Sequence, residues 1–595
     1  MQNVGGERAR GADVETPPRV ILGLVDGLHD AGAALVIDGD LVAAANEERF
    51  TRKKMQGGMP THSMRAVLDQ AGVRPRDLEA LAVGGVATPT VATRILRPLQ
   101  ALYAGSQGIC FDRPWHPVDV VGDLVRYRLP LTRSRGQAAT GRFEGRLAVP
   151  ALRRGLPPAL RRLGITMVDH HLAHAESAWR CSGRGDWLVV TADAHGDGRS
   201  LGVWEAREGM TQPALRFEVG VRQSVGAFYS YVTKALGFRP GRHEGKVLGL
   251  AARGDGRRLP FAFPFAWSRD MRALEFTGSW GIPGARRLAR LRSYAREDVA
   301  AWVQHGTEEI FRTLFRHWRR KLDVEQVAVA GGVFANVQIN GLIAADPAVK
   351  RLVVFPHMGD GGLAAGAAMH LAQRTPAPLA TACLGPELDE TGLEALLEET
   401  GCRVSRPEDP DEALLDVLAQ GRPVARVVGR MEFGPRALGH RSILAPPNSP
   451  TLLDALGKAL DRDAFMPFAP VVRVEEGRAS FRHADVVRDA ARFMTVALPA
   501  SDGFAEHCPG AVHVDRTARP QFVSREEEPE LHRLLTRTLA RCGWPALINT
   551  SFNLHEEPIV ASPRDALRAF RTSRLPRMRL GSYIVDHPAP RAWGA

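Results

Sequence analysis

Two apolar segments that each end at an acidic residue and a glycine-rich turn constrain the fold more than any other feature of this sequence. Residues 19–26 form the first segment, and further apolar runs at 33–37 and 41–45 follow it after short turns. This alternation predicts a three-stranded β-meander. A related pattern returns at residues 187–193, where a turn leads into another run at 200–205. The sequence therefore predicts two lobes of similar construction.

Two lobes that face each other across a cleft are typical of the nucleotide-binding fold of actin, Hsp70 and sugar kinases. Asp-Gly turns also join unrelated hairpins, so the pattern alone leaves that alternative open. Helical spacing of apolar residues over 296–321 predicts a long amphipathic helix, followed by strands at 327–330 and 352–355 and a small-residue helix at 363–371. The Arg- and Pro-rich residues 94–162 are either part of a cleft wall or a surface insertion.

The chain of 595 residues is too long for one hydrophobic core, because single cores stop growing at about 250–300 residues. Residues 1–18 are polar, which predicts a disordered tail. A linker that begins at Gln373 places a domain boundary before Pro386. We therefore expect one α/β domain over residues 19–375 and a second over 385–595.

Composition excludes several classes of protein. No run of 18 or more apolar residues exists, so no membrane span is expected. The N-terminus lacks the apolar core of a secretory signal. The six cysteines are scattered and form no C-x-x-C pair, which favours neither a zinc knuckle nor a disulfide framework. A cytoplasmic location is the expectation.

The net charge of +12 is consistent with a nucleic-acid partner. However, only seven of the 78 basic residues are lysine, and such an arginine bias is typical of a GC-rich coding genome. No recognised nucleic-acid-binding motif supports the alternative. We therefore expect no nucleic-acid partner.

The most specific motif is a pair of histidines, His170 and His174, four residues apart. On a helix their rings lie on one face, close enough to share a metal ion. Asp193 closes a predicted strand, and Asp360 opens a glycine-rich helix. Two His and two Asp form a ligand set suited to Fe(II), Mn(II) or Zn(II). The alternative is a surface histidine pair and two ordinary turn or cap residues.

Glycines at a predicted strand end provide a candidate nucleotide-binding turn. Gly331 and Gly332 follow the strand at 327–330, and backbone without side chains can approach a ligand closely. A tight structural turn is the alternative. The segment from Gly241 to Lys246 is similar to a P-loop, but its spacing is one residue short and no Ser or Thr follows the lysine.

The C-terminal half carries a second candidate site. Residues 429–442 place three arginines around a glycine-rich turn, and arginine forks suit phosphate and carbamoyl oxygens. Ser551 and Asn553 alternate on an extended segment, so both can face one pocket. Solvated surface arginines and an exposed strand end are the alternatives.

Taken together, these segments resemble the O-carbamoyltransferase family of antibiotic and nodulation-factor biosynthesis, whose members modify tobramycin, cephamycins, novobiocin and ansamycins. The matches follow the family's order over nearly the whole chain. In the N-terminal half they are His29-Asp-Ala31, Glu47-Glu-Arg-Phe-Thr-Arg52, His170-His-Leu-Ala-His174, Glu244-Gly-Lys246, Ala330-Gly-Gly-Val333 and Gly359-Asp-Gly361. In the C-terminal half they are Met431-Glu-Phe-Gly-Pro-Arg436, Phe465-Met-Pro-Phe468, Ala518-Arg-Pro-Gln521, Asn549-Thr-Ser-Phe-Asn553 and Glu557-Pro-Ile-Val560.

The resemblance implies an actin-like, metal-dependent N-terminal domain, similar to the universal tRNA threonylcarbamoyl transferase, and a YrdC-like C-terminal domain. It implies that the C-terminal site forms carbamoyl-AMP from carbamoyl phosphate and ATP. The N-terminal site then transfers the carbamoyl group to a hydroxyl of a small natural product. The implied cofactors are ATP with Mg²⁺ and a divalent metal, Fe(II) first, with Mn(II) or Zn(II) as alternatives. A monomer or homodimer is expected.

The resemblance also assigns roles to residues. It implies that His170, His174, Asp193 and Asp360 bind the metal. His29 is the candidate base that takes the acceptor's proton, since an imidazole titrates near neutral pH, and Lys53 is a second candidate catalytic residue. The implied nucleotide contacts are Gly331, Gly332, Asn336, Glu244 and Lys246. The implied contacts to carbamoyl phosphate and ATP in the C-terminal domain are Arg436, Arg441, Lys458, Arg462, Arg519, Ser551 and Asn553.

The sequence departs from the family's pattern at two positions. Glu556 stands where a glycine usually precedes Glu-Pro-Ile-Val, and Arg516 stands where a glycine usually follows Val-Asp. The choice between Lys458 and Arg462 as the carbamoyl phosphate contact stays open. A threonylcarbamoyl-type tRNA-modifying enzyme is the alternative function, and a nucleotide-binding regulatory protein is a third.

Overall fold

The computed structural model describes residues 18–86, 94, 137–279, 282–373, 375–460 and 468–593. The predicted tail at 1–18 lies outside this part of the chain except for its last residue, as do Arg462 and much of the segment 94–162. Among the described residues, no helix has the length and apolar character needed to cross a membrane. The described cysteines form no disulfide.

A five-stranded sheet forms the first lobe. Strands β1 to β3 form the predicted meander, and β4 and β5 continue parallel to β1, which gives the order β3-β2-β1-β4-β5. All six residues of β1 are buried, as expected of a central strand. The five strands are Val20–Val25, Gly32–Ile37, Asp40–Asn46, Ala80–Gly84 and Gly164–Val168.

The second lobe repeats this topology. Its strands β6, β7, β8, β11 and β12 are Trp187–Gly196, Arg199–Ala206, Ala214–Gly220, Gln326–Ala330 and Arg351–Val354. Their order is β12-β11-β6-β7-β8, with β6–β8 as a meander and β11 and β12 parallel to β6. In each lobe the first strand, β1 or β6, pairs with the rest of the meander on one side and with the parallel strands on the other. The predicted α/β fold of two actin-like lobes is confirmed.

Two helices lie between the sheets and position the site. Helix α4 (His170–Arg180) follows β5, and helix α10 (Leu363–Ala372) follows β12. Small buried side chains on both helices allow α10 to pack closely on α4 and on strands β1 and β4. The small-residue helix predicted from the sequence therefore packs on the first sheet and on α4, which in turn contacts β6 and β11 of the second sheet.

The other helices of the N-terminal half cover the outer faces of the sheets. The predicted amphipathic helix is α8 (Arg296–Leu322), and its buried residues include the aromatic side chains Trp302, Phe311 and Trp318. Strands β9 and β10, Phe265–Trp267 and Leu274–Phe276, form a separate hairpin. The helices are α1 Glu48–Thr51, α2 Thr61–Gln70, α3 Gln137–Gly155, α5 Val225–Ala235, α6 Glu244–Ala251, α7 Ile282–Ala289, α8 Arg296–Leu322 and α9 Val337–Ala344.

An eight-stranded mixed sheet forms the C-terminal half, in the order β13-β22-β21-β14-β15-β20-β16-β19. Its strands are Arg403–Ser405, Tyr583–Asp586, Arg577–Leu580, Val424–Val427, Arg441–Ala445, Ala546–Ser551, Ala469–Arg473 and Gln521–Val523. Strands β17 and β18, Leu498–Pro499 and Thr517–Ala518, pair separately. The likeness of this half to YrdC, and the domain boundaries at 375 and 385, stay predictions.

Helices cover both faces of this sheet. They are α11 Leu393–Glu398, α12 Pro410–Leu418, α13 Pro450–Ala459, α14 Gly477–Ser480, α15 Arg488–Ala491, α16 Asp502–His507, α17 Pro529–Cys542 and α18 Pro563–Ser573. The apolar side chains of α12 and α17 pack together against the sheet.

The Glu47–Arg52 segment fastens the C-terminal half to the first lobe. Arg49 donates to the carbonyl of Gly434 across 2.7 Å. Arg52 donates to the carbonyls of Pro558 and Ile559 across 2.7 and 2.8 Å. Each of these bonds joins positions nearly 400 or more residues apart in the sequence, so the motif links the two halves of the molecule.

Candidate metal centre and second cavity

Four side chains converge at the cleft between the lobes. Nε2 of His174 lies 3.2 Å from Oδ2 of Asp193 and 4.0 Å from Oδ1 of Asp360. Nε2 of His170 lies 3.6 and 3.7 Å from the same two oxygens. The ligand-capable atoms of the four residues all lie within 4.8 Å of one another. The histidines are buried and the carboxylates are slightly exposed, so the group opens to the cleft on its acidic side.

Local structure explains the convergence. Asp169 caps α4 by accepting the N–H of Leu172 across 3.0 Å, so both histidines stand in the first turns of the helix. Oδ2 of Asp197 accepts the N–H of His170 across 2.8 Å. Asp193 belongs to β6, the central strand of the second sheet, and Asp360 begins the turn that enters α10.

The carboxylates and imidazoles perturb one another. Burial alone lowers the pKa of His170, but the charges of Asp360 and Asp193 outweigh it and raise that pKa to about 9. Burial raises the pKa of Asp193, yet the neighbouring His170 and His174 hold it well below its ordinary value. Burial, together with the charge of Asp193, raises the pKa of Asp360. The negative charge of the two carboxylates therefore favours positive charge beside it, which the protonated His170 supplies in the absence of another cation.

These four residues fit a divalent metal ion. Both ring nitrogens of His170 and of His174 are buried, and none makes a well-directed hydrogen bond to another described residue. Buried polar atoms left in this condition are costly unless a ligand satisfies them. Two imidazoles and two carboxylates are a donor set that first-row divalent metals accept. The adjacent His171 differs, because its Nδ1 is 2.9 Å from the Thr191 hydroxyl.

His29, the predicted base, lies at the rim of this group. Its Nδ1 is 3.0 Å from Oδ2 of Asp30, and its Nε2 is 3.8 Å from Oδ2 of Asp360. Burial lowers the pKa of His29, but the hydrogen bond to Asp30 and the charges of Asp360 and Asp30 raise it to about 10. Asp30 orients the ring so that Nε2 faces the four converging residues.

The predicted nucleotide contacts fall into two groups. The N–H of Gly332 donates to Oδ2 of Asp193 across 3.1 Å, which places the glycine turn beside the four converging residues. Gly331 has φ of 108° and lies against the backbone of Ala192, so no other residue fits there. Asn336 caps α9 and exchanges hydrogen bonds with Gln304.

The remaining N-terminal candidates make other contacts. Glu244 accepts hydrogen bonds from the Ser230 hydroxyl across 2.7 Å and from the Gly241 N–H across 2.6 Å. The ammonium of Lys246 lies 5.9 Å from the ring centre of Phe238. Lys53 is exposed.

A cavity of about 240 Å³ in the C-terminal half brings together four of the residues predicted to bind carbamoyl phosphate and ATP. Arg436 comes from the glycine-rich turn, Arg519 from the segment before β19, and Ser551 and Asn553 from the end of β20. Ser551 and Asn553 both line this cavity, together with their neighbours Asn549 and Thr550.

Two other predicted residues do not line this cavity. Arg441 is buried, and its guanidinium donates to the backbone carbonyls of Val428 and Gly429. Burial lowers its pKa to about 10 against the opposing charge of Glu432. Arg441 therefore supports the turn, and its role as a phosphate contact stays a prediction. Lys458 is exposed on α13 and lies outside the cavity wall, to which that region contributes Leu460.

Glu556 is a residue of the cavity wall whose role the sequence did not indicate. Its carboxylate accepts hydrogen bonds from Arg239 across 3.0 Å and Arg242 across 2.8 Å, and lies 3.0 Å from Nε2 of His243. These three residues belong to the N-terminal half. The departure from the family's glycine at this position thus creates an ionic link between the halves beside the cavity.

Comparison with known proteins assigns the chain to a family. The family model described as "Carbamoyltransferase N-terminus" matches residues 20–103 and 264–369, and "Carbamoyltransferase C-terminus" matches residues 415–587. Nodulation protein NolNO of Sinorhizobium fredii is 30% identical over 95% of this chain and 80% of its own length. The chain belongs to the carbamoyltransferase family.

Other relatives of this carbamoyltransferase family member match between about two thirds and nearly all of the chain. An uncharacterized protein of Synechocystis, sll1178, is 29% identical over 96% of the chain and 97% of its own length. The 3'-hydroxymethylcephem-O-carbamoyltransferase of Amycolatopsis lactamdurans is 33% identical over 66% of the chain and 75% of its own length. Among solved structures, full-length HypF in the phosphate- and nucleotide-bound form aligns with 60% of the chain and 46% of its own at 11% identity and a TM-score of 0.33.

Proposed function

We propose that this chain is an ATP- and metal-dependent O-carbamoyltransferase that acts on a hydroxyl group of a small molecule. The observation that carries the proposal is the convergence of His170, His174, Asp193 and Asp360 in a chain that also holds an arginine-lined cavity in its other half. The relatives named for nodulation and for cephem O-carbamoylation support a hydroxylated small molecule as acceptor.

The C-terminal cavity is the proposed site of carbamoyl adenylate formation. Water hydrolyses carbamoyl phosphate to carbamate and phosphate, and the carbamate oxygen then displaces pyrophosphate from the α-phosphorus of ATP. Arg436 and Arg519 supply cationic forks for the phosphoryl oxygens. Ser551 and Asn553 supply donors for the carbamoyl group. Mg²⁺ accompanies the ATP.

The four converging residues of the N-terminal half are the proposed metal ligands. A divalent ion held there supplies Lewis-acid stabilisation of phosphate charge as AMP leaves. Fe(II) is the proposed ion, with Mn(II) and Zn(II) as alternatives. The backbone of Gly331 and Gly332 offers a surface without side chains on which the adenylate can lie beside those ligands.

His29 is the proposed base for the acceptor hydroxyl. Asp30 holds Nδ1 and directs Nε2 toward the cleft, so Nε2 can take the hydroxyl proton as the oxygen attacks the carbamoyl carbon. Filling the metal site would neutralise Asp193 and Asp360, whose negative charge helps to keep His29 protonated. The breaking bond joins the carbamoyl carbon to the AMP oxygen, and AMP leaves.

Carbamate decomposes in water, so the two sites need to exchange the adenylate without releasing it. The bonds from Arg49 and Arg52 to the C-terminal half, and the ionic link at Glu556, hold the halves together on the cavity side. This arrangement supports direct transfer between the halves. We expect the protein to act in the cytoplasm as a monomer or homodimer.

The proposal is tested by incubating the metal-loaded protein with ATP, carbamoyl phosphate and a panel of hydroxylated metabolites. The expected result is pyrophosphate release that depends on carbamoyl phosphate, and a mass gain of one carbamoyl group on a metabolite. Pyrophosphate release at the same rate without carbamoyl phosphate, together with no carbamoylated product, would overturn the proposal. Modified adenosine in a parallel incubation with tRNA, threonine and bicarbonate would favour the tRNA-modifying alternative.

A further inference from the structure

Three side chains that could bind a metal meet in the C-terminal half, and none of them belongs to the four converging residues at the cleft. Sγ of Cys383 lies 3.7 Å from Oε1 of Glu528, and Nε2 of His440 lies 2.9 Å from Oε2 of Glu528. The ligand-capable atoms of all three residues lie within 4.8 Å of one another. We propose that Cys383, His440 and Glu528 form a second metal site, selective for a thiophilic divalent ion of the Zn²⁺ class.

The spacing of the three atoms fits tetrahedral coordination. Zinc bond lengths of about 2.3 Å to sulfur and about 2.0–2.2 Å to nitrogen and oxygen give ligand-to-ligand edges of roughly 3.4–3.6 Å. The observed Cys383–Glu528 and His440–Glu528 separations lie on either side of this range. The two separations end on different oxygens of Glu528, so the carboxylate must turn for one oxygen to share an ion with the sulfur and the imidazole. The fourth position would be left to water.

Charge and donor type favour this ion class. A thiolate and a carboxylate together neutralise a divalent cation, while the imidazole adds a neutral donor. The thiolate distinguishes the site from the His/Asp group of the N-terminal half, which contains no sulfur. Cys383 is 5% exposed and Glu528 is 23% exposed, so the ion would enter past the carboxylate to reach the sulfur.

The backbone of each ligand is already held in place. The N–H of Cys383 donates to the Thr381 hydroxyl across 3.0 Å, and the N–H of His440 donates to Oε1 of Glu432 across 3.0 Å. Glu528 immediately precedes α17 and donates its N–H to the Ser524 carbonyl. Ligands fixed in this way lose little conformational entropy when the ion binds.

The three ligands come from separate parts of the chain. Cys383 lies in the segment that connects α10 to α11, His440 ends the glycine-rich turn that carries Arg436, and Glu528 stands at the start of α17. An ion bound to all three would tie the connecting segment and the turn to the start of α17. The inferred role is to fix the turn beside the proposed adenylate-forming cavity.

The experiment is a titration of metal-free, full-length protein with Co²⁺, which replaces Zn²⁺ and reports its ligands by absorption. Only a cysteine ligand produces a thiolate-to-cobalt charge-transfer band in the near ultraviolet. We expect this band in the wild-type protein and in the His170→Ala/His174→Ala variant, and its loss in Cys383→Ser. Cys542→Ser, at the other end of α17, is the matched control and should retain the band.

Glu528→Gln provides a second test that leaves the thiol in place. It should weaken Co²⁺ binding at the charge-transfer band by roughly tenfold or more, because one anionic ligand is lost. Each variant is checked by circular dichroism, so that loss of the band is scored only in folded protein. A wild-type protein without the band at saturating Co²⁺, or a band that survives Cys383→Ser, would overturn the second site.

Discussion

Gly366 packs so closely on the backbone carbonyl of Ala173 that a side chain at position 366 would overlap the carbonyl oxygen. The contact joins α10 to α4, the two helices between the lobes. His174 follows Ala173 directly, and Asp360 stands just before α10. The spacing of these helices therefore determines whether the imidazole and the carboxylate of the candidate metal centre can meet.

Replacing Gly366 with alanine should destabilise the protein by about 1–3 kcal/mol, because the added methyl group forces the helices apart. The midpoint of thermal unfolding should fall. Gly457→Ala is the control: this glycine lies in α13 with open space around it, so helix propensity alone should raise stability by up to about 1 kcal/mol. A Gly366→Ala protein as stable as the control would contradict the packing account.

His174→Ala should remove one equivalent of bound metal from the N-terminal site, since one of four donors is lost and two of the remaining three are the partly exposed carboxylates. Metal content after dialysis and elemental analysis measures this. His171→Asn is the control, because His171 is buried beside the same ligands but faces Thr191. Equal losses in both variants would show that general damage to α4, not ligand removal, explains the result.

Arg519→Ala should lower carbamoyl phosphate-dependent pyrophosphate release by roughly ten- to hundredfold, the equivalent of about 1.5–3 kcal/mol for a charge-assisted hydrogen bond. Arg525→Ala, which removes an exposed arginine of the same half, should leave the rate unchanged. A pyrophosphate assay with varied carbamoyl phosphate measures both. Unchanged kinetics in Arg519→Ala would exclude this cavity as the phosphate site.

Sequence alone predicted the candidate metal centre well, for identifiable reasons. The spacing of His170 and His174 fixes their common face on any helix, and Asp193 directly follows the apolar run that begins β6. The repeated strand–turn pattern also predicted both lobes. Each of these signals is local, since it depends on residues that are close in the chain.

What the sequence did not indicate depends on partners that only the fold supplies. Arg441 lies in an arginine-rich turn, and no local signal distinguishes a phosphate contact from a bond to the carbonyl of Gly429. Glu556 finds Arg242 314 positions away. Cys383 looks isolated in sequence, yet folding brings it to His440 and Glu528. Only tertiary structure supplies such partners.

Acid stability should depend on Asp411, which is buried between Arg426 and Arg579 with its Oδ1 2.7 Å from Arg579. Burial raises the pKa of Asp411, but the two guanidinium groups hold it below its ordinary value. Because the folded-state pKa is depressed, the stabilisation is complete above about pH 4, the ordinary value, and is lost as the pH falls through the folded-state pKa.

Asp411→Asn should therefore cost about 1.5–3 kcal/mol at pH 7, since it removes the buried one of the two carboxylates that pair with Arg426 and Arg579 and leaves only the half-exposed Glu530. The difference from wild type should shrink as the pH falls below about 4. Denaturant unfolding at several pH values measures it. Asp416→Asn is the control, because Asp416 pairs with Arg541 on the exposed surface and should change stability by less than about 1 kcal/mol. A pH-independent difference would contradict the ionic account.

In the proposed function, one half of the molecule makes the activated carbamoyl group and the other half transfers it at a metal. The His170→Ala/His174→Ala variant tests it directly, with pyrophosphate release and acceptor carbamoylation measured on the same sample. We expect that pyrophosphate release dependent on carbamoyl phosphate persists while carbamoylated product disappears. Full carbamoylation by the folded double variant would contradict it.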